Sequence, residues 1–536
     1  MQSAPRMKFE IAAPLPTEPE PILQRIEVAT ARGLPAFHII GLPAPEVAEA
    51  KERVRAAVEA SGFEFPRRRV VINLSPASIR KHGTGLDLGM ALAVNQSMSR
   101  DQDPGPMIAA WGELGLDGGI KPVGYALRVY ASAWQAGVKA LVCARDDWPA
   151  LARARALLET AQEPLNPPPV LLPAKDFKEA VKLCQAFSRG KLPAPEPDPR
   201  PGSDERATEG AGAENLLPLS PALERVVALS AAGLHHLLVL GPRGAGKTHA
   251  LEWRARLEPR MDARARLQRL MIAELSHPMP EPLPFQAPVR RVGAQVRPQA
   301  LFGRVTSSIV RPGECSLAHG GLLLADELPE WPRDARESLR EPLESRRITL
   351  TRVNGTVELP ASFTLIANGN LCPCGGWPRN KVLPPAPVAG ARSGTRCWIC
   401  ECKPAARSAY LERLSGPILD RIDLICQLMP EAGAPSGDAD PGRFQALRKR
   451  VEVTRELLRN RWGIAPGLLP AEELEKIFVA HPVVFEPLLR ARAPNLRFRH
   501  KLARVALTLA AWDGMPDGLP RIEHFTEAAC YRVMPG

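Results

Sequence analysis

The run GPRGAGKT, residues 241–248, lies between the apolar stretch LLVL and a helical pattern, the context in which G-x-x-x-x-G-K-[ST] binds phosphate. Gly241, Gly244 and Gly246, with Pro242, Arg243 and Ala245 between them, let backbone amides converge on phosphate oxygens at a helix N-terminus. Lys247 is expected to hold the β and γ phosphates and Thr248 to ligand Mg²⁺. GGLLLADE then reads as a buried strand ending in two carboxylates, of which Asp326 could hold the metal and Glu327 polarise the attacking water. Either motif alone could be an ordinary turn; together they point to ATP hydrolysis.

ASFTLIANGN is a further apolar strand whose tip carries Asn368 and Asn370. A polar side chain there could position the lytic water or satisfy its own loop backbone. LSGPILDRIDL sets Arg421 between Asp420 and Asp423. Residue types alone suggest a local ion pair, whereas a role at a γ-phosphate supplied in trans requires a ring of subunits.

Five of the ten cysteines fall between Cys372 and Cys402, in NLCPCGG and CWICEC. No secretory signal and no apolar run long enough to span a membrane is evident, so a cytoplasmic, reducing compartment is expected, with no membrane partner. There such a cluster reads as metal ligands rather than disulfides. The formal net charge of +12 over 536 residues suits a polyanionic partner.

These residues need elements to position them. AFHIIGL, RRVVINL and VKALVCA predict short strands, and APEVAEAKERVRAAVEASG predicts a helix with Val47, Val54 and Val58 on one side. SPALERVVALSAAG predicts a helix starting at Ser220 and closed by Gly233. The expected organisation is a tail over 1–21, a mixed domain over 22–187 and a Pro/Gly-rich linker over 188–214. An α/β nucleotide-binding core over 215–430, with a cysteine-rich insertion at 371–403, and a helical segment over 431–536 complete it. RRITLTRVNGTVELP alternates around Asn354-Gly355 and predicts a hairpin between the acid-bearing strand and the asparagine strand.

GECSLAHGGLLLADELPEWPRDARESLREPLESRRITLTRVNG and CECKPAARSAYLERLSGPILDRIDL resemble the magnesium-chelatase-type AAA+ ATPases, specifically the ComM/YifB branch, as a divergent member. The resemblance extends to GLPAFHIIGLPAPEVAEAKERVRAAVEASGFEFPRRRVVINLSPA, similar to that branch's Lon-like N-terminal domain. It implies an α/β fold, with an AAA+ P-loop core and helical lid preceded by an α+β Lon proteolytic-domain-like (ribosomal S5 domain 2-like) domain. It implies that Lys247 and Thr248 form Walker A, Asp326 and Glu327 Walker B, Asn370 sensor 1, Arg421 the arginine finger and Arg497 a sensor 2 arginine from the lid. The family's C-P-C and C-x-C become Cys372, Cys374, Cys400 and Cys402, which would hold structural Zn²⁺, with Cys397 an alternative ligand. The basic loop between them, with Arg379, Lys381, Arg392 and Arg396, could face DNA or simply be solvated.

In related ring helicases a hairpin at this insertion point projects into the pore, so Arg346, Arg347 and Arg352 could track phosphates; packing against a neighbouring subunit is the alternative. The family implies a homohexameric, ATP- and Mg²⁺-dependent DNA helicase that promotes branch migration as transforming DNA is integrated. Two other classes share parts of the pattern. A metal-insertion chaperone like magnesium chelatase has the same ATPase motifs but no Lon-like domain. A Lon-like protease needs a serine activated by lysine, and Gly85 stands where the resemblance places that serine.

Overall fold

The computed structural model describes residues 10–15, 22–77, 79–98, 105–161, 166–191, 216–258, 261, 263–276, 286–306, 309–352, 355–376, 400–428, 440–490, 496–515 and 517–532. In the N-terminal part, β1 (Glu10–Leu15), β2 (Ile22–Ala31), β3 (Ala36–Ile40), β4 (Arg69–Ser75), β5 (Met107–Trp111), β6 (Ala140–Ala144) and β7 (Val170–Ala174) form one mixed sheet. Their order is β3-β4-β2-β1-β5-β6-β7. The three apolar runs chosen from sequence become β3, β4 and β6. Val47, Val54 and Val58 are buried against them, the latter two from the helix Ala50–Ala60.

Residues 10–15 correct the expected tail over 1–21. β1 is an inner strand, antiparallel to β2 and parallel to β5, with Ile11, Ala12, Ala13 and Leu15 all buried. EIAAPL is short and runs into proline, so it carries little strand signal of its own; its two neighbours supply the ladder.

The second sheet consists of β8 (Leu237–Leu240), β9 (Val289–Val292), β10 (Leu322–Ala325), β11 (Thr364–Gly369) and β12 (Leu424–Gln427). Its order is β9-β10-β11-β8-β12, and every neighbouring pair is parallel. All carboxyl ends therefore face one edge, where ligands bind in such sheets. The helix before β8 runs Pro221–Gly233, but Leu234 (φ 56°), not Gly233, makes the left-handed exit. Gly233 serves packing: a Cβ there would lie 2.3 Å from His235 Nε2 and 2.5 Å from Thr508 Oγ1.

Two hairpins project from this core. The expected one pairs Arg347–Arg352 with Gly355–Pro360, and Gly355 belongs to its second strand, opposite Arg352. The other, Gly303–Thr306 with Ile309–Pro312, was not anticipated. They share a small apolar cluster of Val305 and Val310 with Leu350, Val357 and Leu359.

The C-terminal segment is helical as expected, with helices Pro441–Trp462, Ala471–Ala480, Pro482–Arg490, Leu496–Trp512 and Ile522–Cys530. The expected linker lies almost wholly outside the described residues. The boundary it suggests is crossed by the helix Ala263–Ala273, whose Leu267 and Leu270 enter the core of the first domain. Glu274 accepts hydrogen bonds from the amides of Leu127 (3.2 Å) and Arg128 (3.0 Å), at the start of the helix Ala126–Gln135. Among the described residues no helix is long and apolar enough to cross a membrane.

Candidate nucleotide site

β8 is buried along its whole length and delivers the chain into the loop 241–246. Gly244 (φ 76°) and Gly246 (φ 82°) take left-handed conformations that side-chain-bearing residues adopt only with strain, and the helix Lys247–Arg256 begins directly after them. The Lys247 ammonium donates to Gly241 O (3.0 Å), Pro242 O (2.7 Å) and Asn370 Oδ1 (3.0 Å). Burial pulls its pKa down to about 8, against the opposing pull of the Glu327 and Asp326 carboxylates. Thr248, one residue on, is exposed.

β10 is equally buried and ends at Ala325, so Asp326 and Glu327 emerge at the same carboxyl edge. Asn368 holds them together: its Nδ2 donates to Asp326 Oδ1 (2.6 Å) and its Oδ1 accepts from the Glu327 amide (2.7 Å). Glu327 sits at φ 50°, a costly conformation that the Asn368 bond helps to maintain. The two asparagines therefore do different work. Asn370 receives Lys247, and Asn368, which the sequence left as one of two candidates, fixes the acid pair.

This loop, acid pair and asparagine lie inside residues 220–434, which match the family model described as magnesium chelatase, subunit ChlI. Residues 26–147 match a second model, subunit ChlI of Mg-chelatase. Competence protein ComM of Haemophilus influenzae is 30% identical over 549 residues, covering 99% of this chain and 96% of that protein. The chain belongs to the ComM/YifB family. YifB of Salmonella typhimurium is 31% identical over 525 residues, covering 95% of this chain and 94% of that one. YifB of Escherichia coli matches at 31% over 524 residues. The magnesium-chelatase family is of the AAA+ type, so the core is that of an ATPase-related protein.

In this ComM/YifB chain Arg421 cannot reach its own phosphate loop. β12 runs parallel to β8 with Leu237 opposite Leu424, and the amides of Asp423 and Leu424 both donate to His236 O. Arg421 thus sits at the amino edge of the sheet and Gly241 at the carboxyl edge, separated by a four-residue strand, about 13 Å. Arg497 is beside it: Glu344 binds Arg421 through Oε2 and Arg497 through Oε1, the latter at 2.7 Å. Arg497, expected as a sensor 2 arginine from the lid, thus stands at the amino edge of the sheet, away from the phosphate loop of its own chain. The reason is the lid's anchorage. Lys501, on the same helix as Arg497, donates to Arg421 O (2.8 Å) and pairs with Asp423 (2.8 Å) at that amino edge. Burial works against the Asp423 carboxylate, but Lys501 and His235 hold its pKa well below the usual range. Arg421, Arg497 and Lys501 line one cleft of about 380 Å³ with Arg346, Arg504 and His500.

Cys372, Cys374, Cys400 and Cys402 converge, with all four sulfurs within 4.8 Å of one another and Cys372 and Cys374 Sγ 3.1 Å apart. Four thiolates roughly 2.3 Å from Zn²⁺ place their sulfurs about 3.8 Å apart, so this donor set fits tetrahedral zinc. Desolvation opposes ionisation of Cys374, yet Cys372 and the Gly376 amide pull its pKa down to about 7. Cys397 and the basic loop residues Arg379, Lys381, Arg392 and Arg396 lie outside the described residues.

Of the three arginines expected on the hairpin, Arg347 is exposed and paired with Glu358 (2.7 Å), while the Arg352 side chain lies outside the described part. Arg346 is a correction: it precedes the first strand, is half-buried and donates to Leu468 O (2.6 Å), so it joins core to lid instead of facing a pore. The unanticipated hairpin supplies basic groups that sequence reasoning missed. Arg304 and Arg311 stand directly opposite each other across its strands, both exposed. Like charges so placed oppose pairing unless an anion lies over them. The alternation in GRVTSSIVRP was the signal for this element.

In the first domain, a Cβ at Gly85 would lie 2.5 Å from the Trp111 ring, whose Nε1 is fixed to Gly124 O (3.0 Å). There is no room for a nucleophilic side chain at that position.

Proposed function

We propose that this protein is an ATP-dependent DNA translocase or helicase of the ComM type, promoting branch migration as transforming DNA is integrated. Lys247 would hold the β and γ phosphates, Thr248 and Asp326 the magnesium ion, and Glu327 would polarise the attacking water with Asn370 beside it. Bound ATP·Mg²⁺ supplies the free energy. The observation that carries the reading is the separation of Arg421 from its own phosphate loop. An arginine on the opposite edge of the sheet completes a nucleotide site only on an adjacent subunit, which supports a closed ring, expected to be a cytoplasmic homohexamer. The two adjoining hairpins, with Arg304, Arg311 and Arg347 exposed on them, would be the elements that grip phosphates. The curated relative from Haemophilus influenzae carries the description competence protein, which favours DNA over a porphyrin as the substrate.

The test is ATP turnover with and without single-stranded, duplex and forked DNA, together with strand displacement on the fork. DNA is expected to stimulate turnover, and Glu327→Gln to retain ATP while losing displacement. Turnover indifferent to every DNA, with no displacement, would overturn the reading.

A further inference from the structure

The cysteine cluster and the phosphate loop are parts of one folded unit. The Arg243 amide donates to Gly375 O at 2.8 Å, between Cys374 and the Gly376 amide that bonds Cys374 Sγ. The Gly241 amide donates to Gly369 O at 3.2 Å, and Asn370, two residues before Cys372, accepts from Lys247 at 3.0 Å. Gly375 has φ 74°, and a Cβ on it would lie 2.6 Å from both Cγ and Nε of Arg243. The turn that carries two of the four sulfurs is therefore packed against the loop that would carry the phosphates.

We propose that the metal held by Cys372, Cys374, Cys400 and Cys402 sets the conformation of the phosphate loop, so that zinc and nucleotide each strengthen the binding of the other. The inference rests on reading residues 241–248 as a nucleotide site and the four cysteines as a metal site. Four metal–sulfur bonds fix the 372–376 turn, and with it the carbonyl that holds Arg243. With the turn loosened, nucleotide must order the loop itself and binds more weakly. Linkage makes the effect reciprocal, so nucleotide raises zinc affinity by the factor by which zinc raises nucleotide affinity, about tenfold for a coupling of ordinary size, and such a gain is expressed mainly as slower release.

The test uses the full chain as purified. Zinc per chain is measured by elemental analysis, and binding of a fluorescent ADP analogue by anisotropy. Zinc transfer to a chromogenic chelator is then followed with and without saturating Mg²⁺·ADP. Slower transfer with ADP, about tenfold, is expected, and Gly375→Ala should keep the zinc but lose most of that protection. Because transfer begins from the loaded protein, a metal-free form that unfolds does not obscure the result. Transfer at one rate while anisotropy shows ADP bound would overturn the coupling and leave the nucleotide site standing. Failure to bind ADP at all would sink both, and a chain that purifies without metal would overturn the inference.

Discussion

Arg421 and Arg497 grip opposite oxygens of one carboxylate, Glu344, at the sheet edge farthest from Lys247. Two cations from different parts of the chain, one preceding β12 and one on the lid, converge on a single exposed acid. In the proposed ring, a neighbour's phosphate would have to displace that acid.

Glu344 should therefore compete with bound nucleotide for both arginines. Glu344→Gln is expected to lower the ATP concentration for half-maximal turnover by about two- to fivefold, the range for a solvent-screened pair. Steady-state kinetics would show it; a fall in kcat at unchanged KM would mean that Glu344 orients the arginines instead.

Asn368 is buried and commits both ends of its amide to Asp326 and to the Glu327 backbone. Asn368→Ala should reduce kcat on the order of 10- to 100-fold while nucleotide affinity holds, because the acid pair loses its alignment. Equal losses in kcat and affinity would contradict this.

Asp423 is fully buried and faces Lys501 and the His236 amide. Removing it strands the Lys501 charge, so Asp423→Ala should cost about 3–5 kcal/mol and lower the thermal midpoint of the core. A midpoint unchanged by the substitution would show that the ion pair is not what anchors the lid.

The contact between the first domain and the core should depend on pH. Burial raises the Glu274 pKa from 4.5 to about 7, against its hydrogen bonds to the amides of Arg128 and Leu127. The folded state thus holds a proton that the unfolded chain releases near pH 4.5, so this contribution falls as pH rises from there through about 7. The loss is on the order of 3 kcal/mol. Thermal midpoints across that window should fall more steeply for the wild type than for Glu274→Gln; parallel profiles would contradict the assignment.

Arg304 and Arg311, if they lie over phosphates, each add to the salt dependence of DNA binding. Alanine at both should reduce the slope of log affinity against log salt by about 1 per arginine. An unchanged slope would remove that hairpin from the interface.

Much of this site was legible because local chemistry dictates it. The phosphate loop needs its glycines where backbone turns left-handed, and the acids must follow a buried strand, so GPRGAGKT and LLLADE announce themselves. Glu344, Lys501 and Glu274 carry no such mark; each is an ordinary residue within or just after a helix until the fold brings it to a partner distant in sequence. Arg346 misled for the related reason that the pair Arg346-Arg347 reads as one basic patch, whereas the left-handed φ of 58° at Arg346 turns the two apart. β1 stayed hidden because its pairing comes from its neighbours.

The most direct test of the shared site is ATP turnover on mixing two inactive proteins, Arg421→Ala and Lys247→Ala. Each alone spoils every site, but in a mixed ring an intact Lys247 can face an intact Arg421 across one boundary. Equal mixing should restore about a quarter of wild-type turnover per chain, since half the chains can bind and half of their neighbours can complete the site. No recovery, in a mixture shown to co-assemble, would contradict a site shared between subunits.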